Sequence, residues 1–251
     1  MIQRWAVERG IRVNALRIAF LLFGLASPAR CLTLSDLRTQ TRDLAIDNGS
    51  RLRFSTTTID TWLNEGQRVA VLDAKPIFKS ANFELVAGTT FYSLPSDFLQ
   101  MRRLSLRYLD LSEITQESLD NKVGLQWEVS GGLPTNYFIS FASRTKVGFY
   151  PFPDTSSSTG TVRYEYYAQA TNLSATTDEP FGGAAELDPY HYILAYYAAS
   201  KIVAIDGRID LAVFYRTEFL EGLERMKRES RNRPSYNPSA MPINRTNRVG
   251  P

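Results

Sequence analysis

Few side chains in this sequence have the type and spacing that catalysis requires. The only histidine is His191 and the only cysteine is Cys31. A single residue of each type excludes an internal disulfide framework, and we expect no His/Cys metal cluster. His191 follows Tyr190 near the start of a predicted helix. It could act as a general base, but we interpret it as a helix residue with a satisfied ring nitrogen.

Carboxylates and tyrosines offer two alternatives. Paired acids could serve a glycosidase, but nothing in the spacing of Asp154 and Asp178-Glu179 singles out a pair, so we interpret them as solvated loop acids. A tyrosine cluster could form a sugar-binding platform, although a strand alternating between a core and an interface explains it more simply. The cluster comprises Tyr164, Tyr166 and Tyr167.

Phosphate-binding loops are also missing from the sequence pattern. Gly182-Gly183 precedes a predicted helix but lacks the Lys and Ser/Thr that a nucleotide-binding loop needs. The sequence therefore predicts no catalytic residue, no cofactor and no bound metal, and a protein that is not an enzyme.

Composition and charge narrow the classes further. The chain has 251 residues, of which 43% are apolar, which is enough to bury a core. Residues 1–30 carry a net charge of +4 and residues 225–251 a net charge of +6, which leaves −7 for the body between them. An acidic body with basic ends argues against a folded nucleic-acid-binding face. It favours ends that bind an acidic partner or keep the chain soluble.

The helical pattern occurs in two separated pairs. A first helix is predicted from Leu34 to Asp47, with Thr33 and Asp36 in a capping-box arrangement and Asn48-Gly49 as its end. A second begins after Ser55 or Thr56 and ends near Pro76. Asp188-Pro189 is predicted to open a third helix. The fourth carries one apolar stripe, formed by Ala212, Tyr215, Phe219, Leu223 and Met226.

Between these pairs the pattern is strand-like. Ala87-Gly88 predicts a hairpin. In two runs, apolar residues alternate with other residues, as they do in half-exposed strands. A further strand is predicted before Gly131-Gly132. The alternating runs are Leu104, Leu106, Tyr108 and Tyr137, Ile139, Phe141, and the further strand holds Trp127 and Val129. Six or so short strands predict a small antiparallel sandwich or barrel.

The order of elements predicts an α+β protein in which a β-rich block is inserted into a four-helix unit, because two helix pairs can bury their stripes only against each other. Residues 1–31 form an N-terminal extension that is either signal-like or disordered. The remaining boundaries are 32–80 and 186–230 for the helical domain, 81–185 for the β-rich insertion and 231–251 for an extended C-terminal arm rich in Pro, Asn and Arg.

Four segments in this order resemble the head-to-tail adaptor (connector) proteins of tailed bacteriophages. The resemblance covers about Leu32 to Arg231 and ends with the helix pair after Asp188-Pro189. The segments that carry it are Leu34–Arg38 with Trp62–Gln67, Gly88–Phe98, Phe149–Asp154 and Gly160–Tyr164.

The resemblance implies a structural virion protein in the neck between capsid and tail, assembled in the host cytoplasm. It would form an oligomeric ring, commonly of twelve copies, that binds the portal protein and tail or nozzle proteins. Genomic DNA would pass through its lumen without sequence-specific binding, and no membrane would be involved. The arm would bind the portal or a neighbouring subunit, through Arg231, Arg233, Tyr236, Asn237, Pro238, Arg245 and Arg248.

One alternative belongs to a different class. Residues 15–29 form an apolar stretch that follows a basic start and ends in small residues, as in a secretory signal. The chain would then be an exported β-sandwich protein that binds a ligand or sugar after cleavage of that signal.

Overall fold

The computed structural model describes residues 31–47, 53–155 and 160–232. The predictions for residues 1–30, for the Asn48-Gly49 helix end and for the arm beyond Asn232 lie outside these ranges. The described residues form a mixed α+β structure, which confirms the predicted class. Its helices are α1 (Leu34–Ala45), α2 (Thr56–Ala74), α3 (Gln116–Val123), α4 (Tyr192–Ile205) and α5 (Ile209–Asn232). No helix within this part of the chain has the length and apolarity needed to cross a membrane.

Local capping determines where the first two helices begin and end. Thr33 and Asp36 form the predicted capping box, in which each side chain accepts a hydrogen bond from the other residue's backbone N–H. The Ser55 side chain accepts a bond from the Thr58 backbone and starts α2. Ile46 and Lys75 end the two helices in the left-handed conformation, so α2 stops before Pro76 as predicted.

Helix α4 lies at the centre of the helical part and contacts α1, α2 and α5. It is apolar around most of its circumference, as expected for a helix that has neighbours on several sides. Ile193, Leu194, Ala198 and Ile202 are fully buried in one core that also includes residues of the β strands. This shared core ties the helical and β-rich parts together.

The strands form open sheets. One has the order β1-β10-β3-β4, a second has the order β2-β8-β7-β5, and β6 pairs with β9. The β5–β7 and β6–β9 pairs are parallel, and the other pairs are antiparallel. None of the sheets described here closes into a barrel. The strands are β1 (Phe78–Glu84), β2 (Phe91–Ser93), β3 (Phe98–Leu106), β4 (Leu109–Asp110), β5 (Ser112–Glu113), β6 (Gly131–Gly132), β7 (Asn136–Ile139), β8 (Lys146–Tyr150), β9 (Phe152–Pro153) and β10 (Thr161–Ala168).

The predicted hairpin at Ala87-Gly88 is wrong, although a turn is present there. Strand β1 pairs with β10 and strand β2 pairs with β8, so the two strands flanking the turn belong to different sheets. The segment between them bonds to distant backbone instead, because Leu85 N–H donates to the Gly160 carbonyl and Gly88 N–H to the Pro153 carbonyl. Contacts remote in sequence therefore override the local turn signal.

The predicted strand at Trp127 and Val129 is also wrong. Helix α3 and a 3₁₀ helix at Gly124–Glu128 occupy this region. Thr115 caps α3, and the Trp127 ring packs edge-on against Phe138 while its Nε1–H donates to Asp120 at 2.6 Å. The large apolar side chain is buried through helical rather than strand geometry.

The segment from Thr171 to Ala185, at the end of the predicted insertion, is bound closely to helix α2. The Asn64 side chain bonds to both the backbone N–H and the carbonyl of Leu173, at 2.7 and 3.0 Å. The buried Gln67 amide donates to the Thr171 carbonyl at 2.9 Å and accepts from Phe181 N–H at 2.8 Å. These bonds satisfy the backbone of a segment that lies against the core.

The start of the third predicted helix lies later than expected. Asp188 and Pro189 belong to a 3₁₀ helix at Ala185–Tyr190, and α4 begins at Tyr192. Asp188 therefore does not cap α4. Its carboxylate instead lies 3.7 Å from His191.

Candidate partner-binding surfaces

The predicted partner-binding residues lie at the end of α5 and beyond it. Arg231 belongs to the last turn of this helix, so the helix continues two residues into the segment predicted as an arm. The remaining predicted residues lie outside the described part of the chain. They are Arg233, Tyr236, Asn237, Pro238, Arg245 and Arg248.

The basic residues just before the arm make ion pairs with carboxylates of the same chain. Lys227 Nζ lies 3.1 Å from Asp73 on α2, and the Asp73 hydrogen bond raises the pKa of Lys227. Arg225 lies 3.6 Å from Glu221 one turn earlier. These pairs are largely exposed and contribute little stability, but they give the end of α5 a mixed rather than purely basic surface.

An apolar strip lies on the exposed side of α5. It consists of Ile209, Val213 and Leu220, which are 59%, 60% and 46% exposed. Spacings of four and seven residues place these side chains on one face of the helix. The predicted core stripe from Ala212 to Met226 is confirmed as buried on another face of the same helix. Helix α5 thus presents a second apolar surface that nothing in the described chain covers, as subunit or partner interfaces do.

A tight turn between β3 and β4 projects a second apolar group. The β3–β4 register pairs Leu106 with Leu109, so Arg107 and Tyr108 form a two-residue loop. Both have positive φ, at 49° and 70°, which suits a type I′ turn but costs non-glycine residues on the order of 1 kcal/mol each. Tyr108 is fully exposed, which corrects the prediction that it continues the buried alternation of Leu104 and Leu106.

Phe141 also departs from its predicted alternation, because it too lies beyond the end of a strand. Strand β7 ends at Ile139, and Phe141 lies in the following turn, where its ring is almost fully exposed. Its backbone N–H donates to the Gln116 side chain at 2.6 Å, which ties the turn to the first turn of α3. Two aromatic rings are therefore held in solvent at turns, which is the kind of position that binding residues occupy.

The solvent-facing side of strands β3 and β10 forms an open groove of about 730 Å³. Arginines predominate there, although Arg103 is paired with Asp110 at 2.7 Å. This basic groove contrasts with the net acidity of the body as a whole. Its lining is Arg103, Ser105, Arg107, Tyr108, Thr161, Arg163 and Glu165.

The candidates for sugar binding and acid catalysis do not form such sites. Tyr164 and Tyr166 are buried and point into the core from β10, so they cannot form an exposed platform. Asp178 accepts hydrogen bonds from the Ser174 and Ala175 backbone, and these bonds lower the pKa of its carboxyl. It holds a loop together rather than facing a substrate.

The structure brings His191 and Cys31 together with Asp188, contrary to our expectation. One ligand atom from each of the three residues lies within 4.8 Å of the others. His191 is completely buried, and neither ring nitrogen has a hydrogen-bond partner in the described part of the chain. The only hydrogen-bonding influence on the ring comes from the Leu32 backbone, which raises the pKa of His191 without forming a hydrogen bond of ordinary geometry within the described residues.

Burial and neighbouring acids set the protonation of this cluster. Burial lowers the pKa of His191 by disfavouring the cation, and the Asp188 and Glu179 charges oppose that shift. Burial together with the carboxylates of Glu179 and Asp188 raises the pKa of the Cys31 thiol to about 12. The imidazole is too enclosed to act as a general base on an outside substrate.

Comparison with known families supplies the functional context for these surfaces. The family model described as SU10 adaptor protein matches residues 32–244, which include every described helix and strand. A comparison with curated proteins found no match.

Proposed function

The chain belongs to the SU10 adaptor protein family, and we propose that it forms an oligomeric ring that joins the capsid portal of a bacteriophage to its tail. Membership makes it a phage adaptor, a structural protein of the virion's head–tail connection. The proposal adds the ring of about twelve copies, the portal as direct partner, and a lumen through which genomic DNA passes.

The extent of the family match is the observation that carries this proposal. The match begins just before α1 and continues past α5 to residue 244. It therefore covers the helices, the β-rich block and much of the predicted arm as a single unit. A match to one motif could reflect a shared local fold, whereas a match over the whole body supports a shared structural role.

We propose further that α1, α2, α4 and α5 form one helical unit, with the β-rich block of residues 81–185 inserted between residues 32–80 and 186–230. Two hydrogen bonds between distant parts of the chain support this organisation. Arg208 donates to the Ala45 carbonyl at 2.6 Å, and Tyr215 donates to the Leu44 carbonyl at 2.8 Å. The C-terminal end of α1 is thus bound to residues at the start of α5.

Ring formation requires two different surfaces on each subunit, because a cyclic ring uses a head-to-tail interface. The strip on α5 supplies one exposed apolar surface suited to such an interface. We propose that the strip contacts a neighbouring subunit, since an exposed apolar face is covered when copies associate. The strained Tyr108 turn fits a contact with the next component, where a preformed aromatic anchor is useful.

The arm of residues 231–251 is proposed to attach the ring to the portal. Arg231 lies in the last turn of α5, so the arm follows directly from this helix in the sequence. The proline-rich sequence that follows it cannot build a core of its own, so a partner surface must supply its contacts.

A net acidic body fits a lumen that DNA passes without tight binding, because each phosphate contact would retain the DNA.

Native mass measurements on the purified chain, alone and mixed with the portal of the same phage, test the proposal. We expect the chain to form a ring-sized species when portal is present. Deletion of residues 233–251, which leaves α5 complete, should abolish attachment of that species to the portal. Arg225→Gln with Arg228→Gln provides the control, since it removes two positive charges from α5 without touching the arm, compared with the three arginines that the deletion removes. A chain that stays monomeric and ignores portal would contradict the ring, and unchanged attachment after the deletion would contradict the arm's role.

A further inference from the structure

Three potential ligand groups converge from distant parts of the chain. Cys31 lies two residues before the cap of α1, whereas Asp188 and His191 lie in the turn that leads into α4. Their Sγ, carboxylate oxygen and ring nitrogen all lie within 4.8 Å of one another. These are the only cysteine and the only histidine of the chain, so their meeting does not follow from abundance.

The polar atoms of this cluster are buried and unsatisfied. Neither ring nitrogen of His191 nor the Oδ1 of Asp188 makes a hydrogen bond of ordinary geometry within the described residues, although the Leu32 backbone lies close enough to raise the pKa of His191. His191 is 0% exposed, so water at the surface cannot serve it. Buried polar atoms are paired in most native structures, and unpaired ones call for a further bound group.

The separation of the two unpaired groups fits a shared ion better than a direct bond. His191 Nε2 lies 3.7 Å from Asp188 Oδ1, which is too long for a hydrogen bond. Ligands bound to Zn²⁺ at about 2.0–2.3 Å in tetrahedral geometry stand roughly 3.3–3.7 Å apart. The backbone bond from His191 N–H to the Asp188 carbonyl, at 3.2 Å, holds the two residues in this arrangement.

We propose that Cys31, Asp188 and His191 bind a Zn²⁺ ion. Thiolate, imidazole and carboxylate are the three ligand types that zinc takes from proteins. The Glu179 carboxylate lies within hydrogen-bonding reach of the Cys31 thiol and can supply the fourth ligand. Cys31 is partly exposed, whereas His191 is completely buried.

Binding replaces a proton with the metal. The Zn–S bond forms as the S–H bond of Cys31 breaks, and the proton leaves to solvent; no electron is transferred. The imidazole binds through the lone pair of one ring nitrogen.

The proposed ion has a structural consequence. It would tie the segment before α1 to the turn before α4, two parts of the helical core that meet only through tertiary folding. The Phe181 ring packs 5.8 Å from the His191 ring and closes one side of the cluster. A closed site of this kind suits a structural ion rather than a catalytic one. This inference does not depend on ring formation or portal binding.

The single cysteine makes the test specific, because thiol alkylation of the folded chain can occur only at Cys31. The full chain would be freed of metal with a chelator and titrated with Zn²⁺. We expect one ion per chain, alkylation of Cys31 slowed at least about tenfold, and a higher melting temperature. Co²⁺ in place of Zn²⁺ should show a thiolate-to-metal charge-transfer band.

Three variants locate the ion. Cys31→Ser and Asp188→Asn should each weaken Zn²⁺ binding at least about tenfold, as loss of a group at a metal site does. Glu186→Gln, a carboxylate two residues before Asp188 and outside the cluster, should bind like the unaltered chain. Circular dichroism of each metal-free variant shows whether it is folded, and a variant that does not fold is replaced by Cys31→Ala or Asp188→Ser.

Two results would overturn the proposal. One is that Zn²⁺ neither protects Cys31 nor changes the melting temperature of the unaltered chain. The other is that Cys31→Ser and Asp188→Asn bind Zn²⁺ as tightly as Glu186→Gln, which would place the ion elsewhere. Neither result bears on portal attachment, which is measured separately.

Discussion

Gly222 allows close approach of helices α4 and α5, and replacing it with alanine tests that packing. A Cβ at this position would lie 2.5 Å from Ile193 Cγ2 and 3.3 Å from the Tyr192 hydroxyl. Ordinary carbon contacts are about 3.5–4.0 Å, so the overlap with Ile193 is roughly 1 Å. Ile193 is completely buried and branched at Cβ, and it therefore cannot swing into solvent.

Two opposing effects set the size of the change. Alanine is favoured over glycine in a helix interior by about 0.8–1.0 kcal/mol. Overpacking a buried contact costs about 1–3 kcal/mol because side chains and backbone must shift. With an overlap this large we take the upper half of that range, and we expect Gly222→Ala to lower the free energy of unfolding by about 1–2 kcal/mol.

A double-mutant cycle with Ile193→Ala isolates the contact. Ile193→Ala alone should cost about 2–5 kcal/mol by leaving a cavity. On that background Cγ2 is gone, so Gly222→Ala should become stabilising by about 1 kcal/mol. The sign of the Gly222→Ala effect therefore reverses between the two backgrounds, with a coupling energy of about 2–3 kcal/mol.

Urea unfolding followed by circular dichroism, at one fixed protein concentration, measures all four proteins. Thr217→Ala, an exposed change on the same helix, shows that the assay detects a gain in helix propensity without a steric clash. If Gly222→Ala stabilised the unaltered chain, or had the same effect in both backgrounds, the close approach of α4 and α5 would be refuted.

Three further changes test other parts of the structure. Gln67→Met should lower the free energy of unfolding by about 2–4 kcal/mol, because two backbone groups that bond to the Gln67 amide would lose their hydrogen bonds. A loss under about 0.5 kcal/mol in urea unfolding would contradict this. For Asp97, burial raises the carboxyl pKa, but bonds from Lys79 and a tyrosine outweigh it and lower the pKa below 3.8. The stabilising effect of the Asp97 carboxylate is present above pH 3.8 and is lost as the pH falls through the lowered pKa. Asp97→Asn should therefore weaken the fall in the free energy of unfolding at acid pH. Superimposable stability profiles of the two proteins would argue against this role. Leu220→Lys should reduce the oligomeric fraction in native mass spectra without lowering the melting temperature, whereas Phe214→Lys, about 120° round the helix, should leave that fraction unchanged. Equal effects would exclude the strip as the contact.

The helix caps show what local sequence can predict. Thr33 and Asp36 lie three residues apart, and the bonds they form with each other depend only on that spacing. Ser55 starts α2 for the same local reason. The apolar stripe of α5 was also readable, because period and helix geometry suffice to place its members on one face.

Strand pairing was less predictable because it depends on distant partners. Turn residues at Ala87-Gly88 produce a turn, but β1 finds its partner in β10. The residue type of Trp127 favours a strand. However, Thr115 caps a helix that begins before it, and Trp127 itself lies in a 3₁₀ helix from which its ring is buried. Propensity is weak where burial against remote residues decides the conformation.

The candidate sites divide in the same way. Sequence reasoning selected the arm from its composition, and its role in portal attachment stays a prediction. Sequence reasoning missed Gln67. Glutamine is typical of solvated helix positions, but this side chain is buried because its amide forms hydrogen bonds with the backbone of a loop. It also missed the strip on α5, for which three exposed apolar residues at helical spacing were the available signal.

By itself the sequence determined the α+β class, the starts of α1 and α2, and the resemblance to phage adaptors, which the family match confirms. These depend on local spacing and on the order of segments along the chain. Only the tertiary structure decided that Cys31 and His191 meet, that Tyr108 stands in solvent, and that β1 and β2 join different sheets. Those outcomes depend on which distant surfaces exclude water together, and no local pattern encodes that choice.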